Sequence, residues 1–294
     1  MAYHSPLRYP GGKGLLLTFV RKVVRRCTPP INTYIEPFAG GAAVAIGLLQ
    51  AQDVEAAVIG DADPAIAAFW RAALNSPEKL AERIAECDVT IDTWHEQHDI
   101  LSQGPTGDDL ALGFAAFFLN RTNYSGVLRA RPIGGLKQEG PWSLDCRFNK
   151  HNLLRRLNTV AGLAGRIVVY EGDAVALLKS IDTYAQEPFF IYADPPYLTK
   201  STDLYMDTMT YASHQDLACA LQRSNNRWMV SYDADDRVPG ELYPEARILR
   251  FGLRHSAGRA HRGQELMAFS PNCPVGTATA QLRGAQWLDQ SDST

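Results

Sequence analysis

The chain has 294 residues, 46% of them hydrophobic and 21% charged, with a formal net charge of -3. That size and apolar content allow a full α/β core with a modest insertion, and the lack of any run of about 18 apolar residues excludes a transmembrane helix. The amino terminus has no charged-then-apolar leader pattern, and the five cysteines (Cys27, Cys87, Cys146, Cys219, Cys273) are scattered without metal-ligand spacing, so reduced thiols, a cytoplasmic setting and no metal are expected.

The first motif is Leu7-Arg8-Tyr9-Pro10-Gly11-Gly12-Lys13, a turn by composition. It precedes an amphipathic helix predicted over Leu15–Arg26. It is not a P-loop, because the glycine spacing and the Ser/Thr after Lys are missing. As a lid it would bring an aromatic face and a cation to a cofactor. Thr33–Glu36 reads as a strand, Pro37 to Ala42 as a glycine turn and Ala43–Gln50 as a helix, the nucleotide-cradling unit of doubly wound sheets. Glycines let backbone approach a ligand, and a helix amino terminus favours negative charge. The three spaced glycines of a dinucleotide site are absent, so no pyrophosphate is implied. Ala56–Gly60 is a second strand, ending in Asp61-Ala62-Asp63. An acid there commonly bonds a ribose hydroxyl; an N-cap before Pro64 is the other reading for one of the pair. A helix runs on to Leu74.

Pro77 to Ser102 is acidic and predicted helical, followed by a Gly-Pro-Thr-Gly loop and an apolar helix over Leu110–Leu119. Tyr124–Phe148 mixes Gly, Pro and basic residues and predicts a loop with a hairpin. A helix over His151–Ala161 follows. The β/α alternation then resumes with strands Arg166–Tyr170, Phe189–Ala193 and Arg227–Ser231 and helices Ala174–Ile181 and His214–Ser224. Two late strands lie near Arg247–Gly252 and Glu265–Phe269, and the polar tail from Val275 is expected to fray. The pattern predicts a doubly wound, mostly parallel Rossmann-like α/β sheet interrupted by a helical and hairpin insert. Its parts are residues 1–75 and 166–274 for the sheet, 76–165 for the insert and 275–294 for a flexible tail.

The most telling run is Asp194-Pro195-Pro196-Tyr197, directly after the apolar strand Phe189–Ala193. Two prolines fix φ and remove two backbone donors, so the turn presents acceptors. Asp194 and the Pro195 carbonyl suit the two hydrogens of an exocyclic amine, and Tyr197 suits a flat ring. A plain Pro-rich turn is the bland alternative.

Charge is unevenly distributed. Six Lys/Arg and no acids lie between His4 and Cys27, nine Lys/Arg and two acids between Arg121 and Arg166, and five Arg and no acids between Arg247 and Arg262. Thirteen acids and three Lys/Arg fall between Asp53 and Phe118. Converging basic stretches would make a phosphate-binding surface; solvated helix faces are the alternative, favoured for Arg21, Lys22, Arg25 and Arg26.

In order, the chain carries LRYPGGK, YIEPFAGG, GDADP, NRTNYSGVLRAR, DCRFNK, DPPY and WMVSYDAD. From Leu7 to about Phe269 it resembles the Dam-type, D12 class family of DNA adenine-N6 methyltransferases. The resemblance implies S-adenosylmethionine as cofactor, no metal, and double-stranded DNA as partner. It carries amine binding and catalysis to Asp194, Pro195, Pro196 and Tyr197, with the target base flipped out and stacked on Tyr197. It carries cofactor binding to Tyr9, Gly11, Gly12 and Lys13, to Glu36, Phe38, Gly40 and Gly41, and to Asp61 on the ribose. Asp173 either contacts the cofactor's adenine or caps a helix. It places DNA contacts at Asn120, Arg121, Asn123, Tyr124 and Arg129, then Arg147 and Lys150, with Tyr124 as a wedge. One departure stands out: where some members have Phe-x-Gly-x-Gly, this chain ends the motif with Ala42, which leaves the turn's geometry open. N4-cytosine methylation, methylation of RNA or a protein amide, and a catalytically silent DNA-binding regulator remain alternative readings.

Overall fold

In a computed structural model, residues 5–8, 13–184, 188–198, 209–254 and 262–288 are described. Eight strands form one sheet: β1 (Thr33–Glu36), β2 (Ala56–Asp61), β3 (Ile167–Glu171), β4 (Phe189–Ala193), β5 (Arg227–Asp233), β6 (Arg247–Arg254), β7 (Arg262–Phe269) and β8 (Arg283–Trp287). Their order is β3-β2-β1-β4-β5-β7-β6-β8. Every pairing from β3 through β5 is parallel, and β7 turns the sheet antiparallel against β5 and β6. The order reverses between β1 and β4, the place where open α/β sheets bind ligands beyond the strands' carboxyl ends.

Nine α-helices accompany the sheet among the described residues: α1 (Leu17–Val24), α2 (Ala43–Gln50), α3 (Pro64–Asn75), α4 (Pro77–Glu86), α5 (Ile91–Gln103), α6 (Asp109–Thr122), α7 (Lys150–Ala161), α8 (Ala174–Tyr184) and α9 (Tyr211–Arg223). Alternation along the central strands divides the core into two faces. Tyr34, Phe190, Tyr192, Met229 and Met267 face one side with α1, α2 and α3. Ile35, Ile191, Ala193, Val230 and Leu266 face the other, against residues of α8 and α9. Local chemistry sets several helix starts: Asp63 caps α3 through Ala65 N with Pro64 next, Asp108 caps α6, and Asn149 caps α7.

Residues 76–165, expected as an insert, contribute to the first face's core. Phe117 and Phe118 of α6 are fully buried in the same cluster as Phe69 and Trp70 of α3, and burial of such a ring contributes roughly 1.5–3 kcal/mol. Residues 76–165 are therefore packed as part of the body.

Several expectations are corrected. The first helix opens as a 3-10 turn over Lys13–Leu16 and becomes α-helical only at Leu17. The acidic stretch is two helices, because the Cys87–Thr90 break ends α4 and Thr90 caps α5. The apolar helix runs to Thr122, which makes Asn120 and Arg121 helical. No hairpin strands occur over 124–148; an isolated Asn123–Pro132 bridge and 3-10 turns at Tyr124–Gly126 and Leu144–Arg147 hold the loop. The tail does not fray at Val275: β8 pairs with β6 and Ala278 is buried.

Candidate active site

Asp194 leaves β4 beside the end of β1, at the switch point. Its side chain is 23% exposed, enough to be reached from solvent. Ser231 Oγ of β5 donates to Asp194 Oδ1 at 2.6 Å, and the Tyr192 hydroxyl lies 3.0 Å from the same Ser231 oxygen. Lys13 Nζ stands 3.3 Å from Asp194 Oδ1 and 3.1 Å from Glu265 Oε1. Lys13 also donates to the Tyr197 hydroxyl at 3.2 Å, and that hydroxyl donates to Glu265 Oε1 at 2.7 Å. Leu198 N donates to Asp233 Oδ1 at 3.2 Å. The turn after β4 is thus held at Asp194, Tyr197 and Leu198.

Electrostatics follow from burial. Burial raises the Asp194 pKa and Glu265 adds to the rise, while the Lys13 ammonium and the Ser231 bond oppose it. Burial works against the Lys13 charge, but Asp194, Glu265 and Tyr197 outweigh it and push Lys13 above the ordinary lysine value. Lys13, expected at the cofactor, is in this structure the cation of the Asp194 network.

The glycine turn sits one strand away. Gly40 and Ala42 both adopt left-handed backbone, each at φ 45°. Gly40 N donates to Asp61 Oδ2 and Asp63 N to Asp61 Oδ1, both at 2.9 Å, and Trp70 Nε1 donates to the Gly40 carbonyl. Asp61 thereby ties the end of β2 to the turn after β1, while the N-cap of α3 is Asp63. Glu36 Oε2 accepts from Ala45 N at 3.1 Å. Burial lifts Glu36 to about 8, against the Ala45 bond. Burial likewise lifts Asp61 to about 7, against the Asp63 and Gly40 bonds. Phe38 is half-buried at the turn, and Gly41 is buried beside it.

The other expected residues divide. Asp173 accepts from Ala176 N at 2.9 Å and so caps α8. Tyr9, Gly11 and Gly12 lie outside the described residues. Asn120 and Asn123 are fully buried, which corrects their expected place among the DNA contacts. Asn120 accepts from Arg8 N and donates to the Arg8 and Gly126 carbonyls. Asn123 accepts from Trp94 Nε1 and donates to the Val127 and Leu128 carbonyls. Arg121 is buried too and donates to the Pro6 carbonyl, while Arg156 donates to the Ser5 carbonyl. Burial, then Arg156 and Arg8, lowers Arg121 to about 9. Tyr124, Arg129 and Arg147 are exposed, with Arg129 3.6 Å from Asp63. Lys150 donates to the Ala85 carbonyl at 2.8 Å.

Three residues of the site escape sequence reasoning. Ser231 and Asp233 lie inside the noted WMVSYDAD run, so their motif was visible though their role was not. Glu265 had no local signal, being a single acid at the head of the otherwise apolar run Glu265–Phe269.

A reversed-order α/β sheet with a glycine turn after β1 and an acid-led Pro-Pro-Tyr turn after β4 has the Rossmann-like architecture of a methyltransferase. The model of the D12 class N6 adenine-specific DNA methyltransferase family matches residues 9–254, and the chain belongs to that family. It is 26% identical over 204 residues to the Type II methyltransferase M.MjaIII of Methanocaldococcus jannaschii, covering 65% of this chain and 68% of the relative. It is 24% identical over 216 residues to the Type II methyltransferase M.CviBI of Paramecium bursaria Chlorella virus NC1A, covering 72% and 76%. Among solved structures, the rRNA methyltransferase aviRa from Streptomyces viridochromogenes aligns over 90% of this chain and 86% of its own at 14% identity, with a TM-score of 0.39. Among the described residues no helix is long and apolar enough to cross a membrane.

Proposed function

We propose that this DNA adenine methyltransferase transfers a methyl group from S-adenosylmethionine to N6 of an adenine flipped out of duplex DNA. The observation that carries the reading is Asp194 itself: a carboxylate at the switch point, reachable from solvent and held by Ser231 and Lys13.

The residues present fit the cofactor. Gly40 and Gly41 leave two successive positions of the turn without a side chain, Asp61 stands at the end of β2 for ribose hydroxyls, and Phe38 offers a ring. S-adenosylmethionine, when bound, supplies an electrophilic methyl group on a positively charged sulfur. The chain's own residues prepare the nucleophile. Asp194 and the Pro195 carbonyl accept the two N–H bonds of the amine, which draws N6 toward tetrahedral geometry and frees its lone pair. Pro196 stiffens the turn, and Tyr197 stacks on the base. Positioning and fixed dipoles do the rest, with no covalent intermediate on the protein.

For DNA, we assign the exposed Tyr124, Arg129 and Arg147 to direct contact. Lys150 and the gathered Arg8, Arg121 and Arg156 set a positive potential for phosphates. Asn120 and Asn123 hold that surface from inside. The relatives are named Type II methyltransferases, and we assign this chain the same setting, the methylating half of a restriction–modification pair.

The test is binding and transfer side by side. The purified protein binds S-adenosylmethionine, and labelled methyl groups move to duplex DNA in preference to RNA of matched sequence. Equal or better transfer to RNA would move the substrate class.

A further inference from the structure

Glu265 lies on β7, fully buried, so it cannot touch a substrate. In the antiparallel register it faces Asp233 of β5 directly, and Ser231 lies two residues along the same face. Two carboxylates opposite each other weaken a sheet, and burying a carboxylate is costly unless it is paired. A residue with an apolar side chain would suit this buried position between Gln264 and Leu266 better. What the acid does there is specific. Its Oε1 takes the Tyr197 hydroxyl at 2.7 Å and the Lys13 ammonium at 3.1 Å. Lys13 in turn reaches Asp194 at 3.3 Å and sits 5.1 Å from the Tyr197 ring centroid. Its cross-strand neighbour Asp233 takes the Leu198 N–H, and Ser231 takes hold of Asp194. All three strand residues therefore act on one five-residue turn, 194–198.

We propose that Glu265 is a positioning residue that locks Tyr197 and Lys13 into one unit, fixing the aromatic wall and the cation beside Asp194 before a base enters. Ser231 and Asp233 fix the two ends of the turn, and Glu265 fixes the ring between them. This rests on the proposed function only for its effect on turnover; the effect on the turn itself is independent of substrate.

The experiment uses the full chain and two variants that cut the same bond from opposite sides, Glu265→Gln and Tyr197→Phe. Hydrogen exchange reads the turn without any substrate. The Tyr197 and Leu198 amides exchange at least tenfold faster in each variant, while α2 amides stay at the wild-type rate. Methyl transfer from labelled S-adenosylmethionine to unmethylated plasmid DNA reads the consequence. kcat falls at least tenfold in Glu265→Gln, the cofactor dissociation constant stays within threefold, and the double variant is no slower than the slower single one. Should Glu265→Gln fail to fold, Tyr197→Phe carries the same exchange test alone. Unchanged exchange at residues 197 and 198 in the folded variants overturns the proposal, as does turnover within twofold of wild type in Glu265→Gln. If exchange rises as expected but wild type transfers no methyl to DNA, the positioning role stands and the functional reading fails instead.

Discussion

Ser231 Oγ donates to Asp194 Oδ1 at 2.6 Å, across the parallel pair of β4 and β5. The acid that leads the Pro-Pro-Tyr turn is thus oriented by the neighbouring strand, and the same serine oxygen lies 3.0 Å from the Tyr192 hydroxyl. Orientation of this kind fixes the carboxylate rotamer in advance, with Ser231 and Lys13 both on Oδ1.

Asp194→Ala removes an acceptor of the amine. Methyl transfer is abolished, while S-adenosylmethionine affinity stays within a few-fold, since Asp194 is one strand removed from the glycine turn. Transfer assays and calorimetry check both halves; near-normal turnover would show that the amine is bound elsewhere.

Asp61 has two jobs, the Gly40 tether and the proposed ribose contact. Asp61→Ala loses both, weakening cofactor binding and lowering the melting temperature together. Binding of S-adenosylmethionine and of its demethylated product, measured on the same samples, checks this. Unchanged affinity for both would reduce Asp61 to a tether.

The sheet, its glycine turn and the turn after β4 were legible in the sequence because each depends on neighbours in the chain. Apolar runs mark buried strands, and Asp63-Pro64 marks a helix start. The insert was misread where long-range packing decides. Asn120 and Asn123 were expected among the DNA contacts of a basic stretch, yet at the end of α6 they turn inward to bond Arg8, Trp94 and loop carbonyls. Glu265 becomes part of the site only through strand pairing some seventy residues away from Asp194, which no local pattern records. The tail was misread for the same reason: β8 gains its order from β6.

Asn123→Ala follows from that correction. It removes an amide with three internal bonds at a fully buried position, and leaving such partners unpaired costs about 1–3 kcal/mol. Thermal unfolding shows the loss, whereas Tyr124→Ala, at an exposed position, weakens DNA binding with an unchanged melting temperature. A stable Asn123→Ala protein with relaxed site preference would return Asn123 to the DNA contacts.

Ala42 settles the departure from the Phe-x-Gly-x-Gly pattern. It takes the left-handed conformation at φ 45°, ψ 33° that glycine would take freely. The strain is about 1–2 kcal/mol, but the methyl is buried, which is worth about 0.8 kcal/mol. Ala42→Gly therefore changes stability by less than about 1 kcal/mol, while the β-branched Ala42→Val is far more costly. Denaturant unfolding decides, and a large loss in Ala42→Gly would contradict this turn geometry.

Glu36 gives a pH prediction. Burial lifts its folded pKa from 4.5 to about 8. The native state then binds more protons than the unfolded chain between those values, so wild-type stability declines as pH rises through that window. Glu36→Gln keeps an acceptor for Ala45 N but has no proton to lose. Its melting temperature relative to wild type therefore climbs from pH 4.5 to pH 8 and levels off above. A constant difference across that range would mean that Glu36 ionises normally.

The methylated nucleoside itself distinguishes the candidate reactions. The purified chain is incubated with S-adenosylmethionine and duplex DNA from cells lacking adenine methylation. The DNA is then digested to nucleosides for mass spectrometry. N6-methyladenine is the expected product, absent when Asp194→Ala replaces wild type. N4-methylcytosine as the product, or N6-methyladenine formed equally well by the Asp194→Ala protein, would overturn adenine N6 transfer at Asp194.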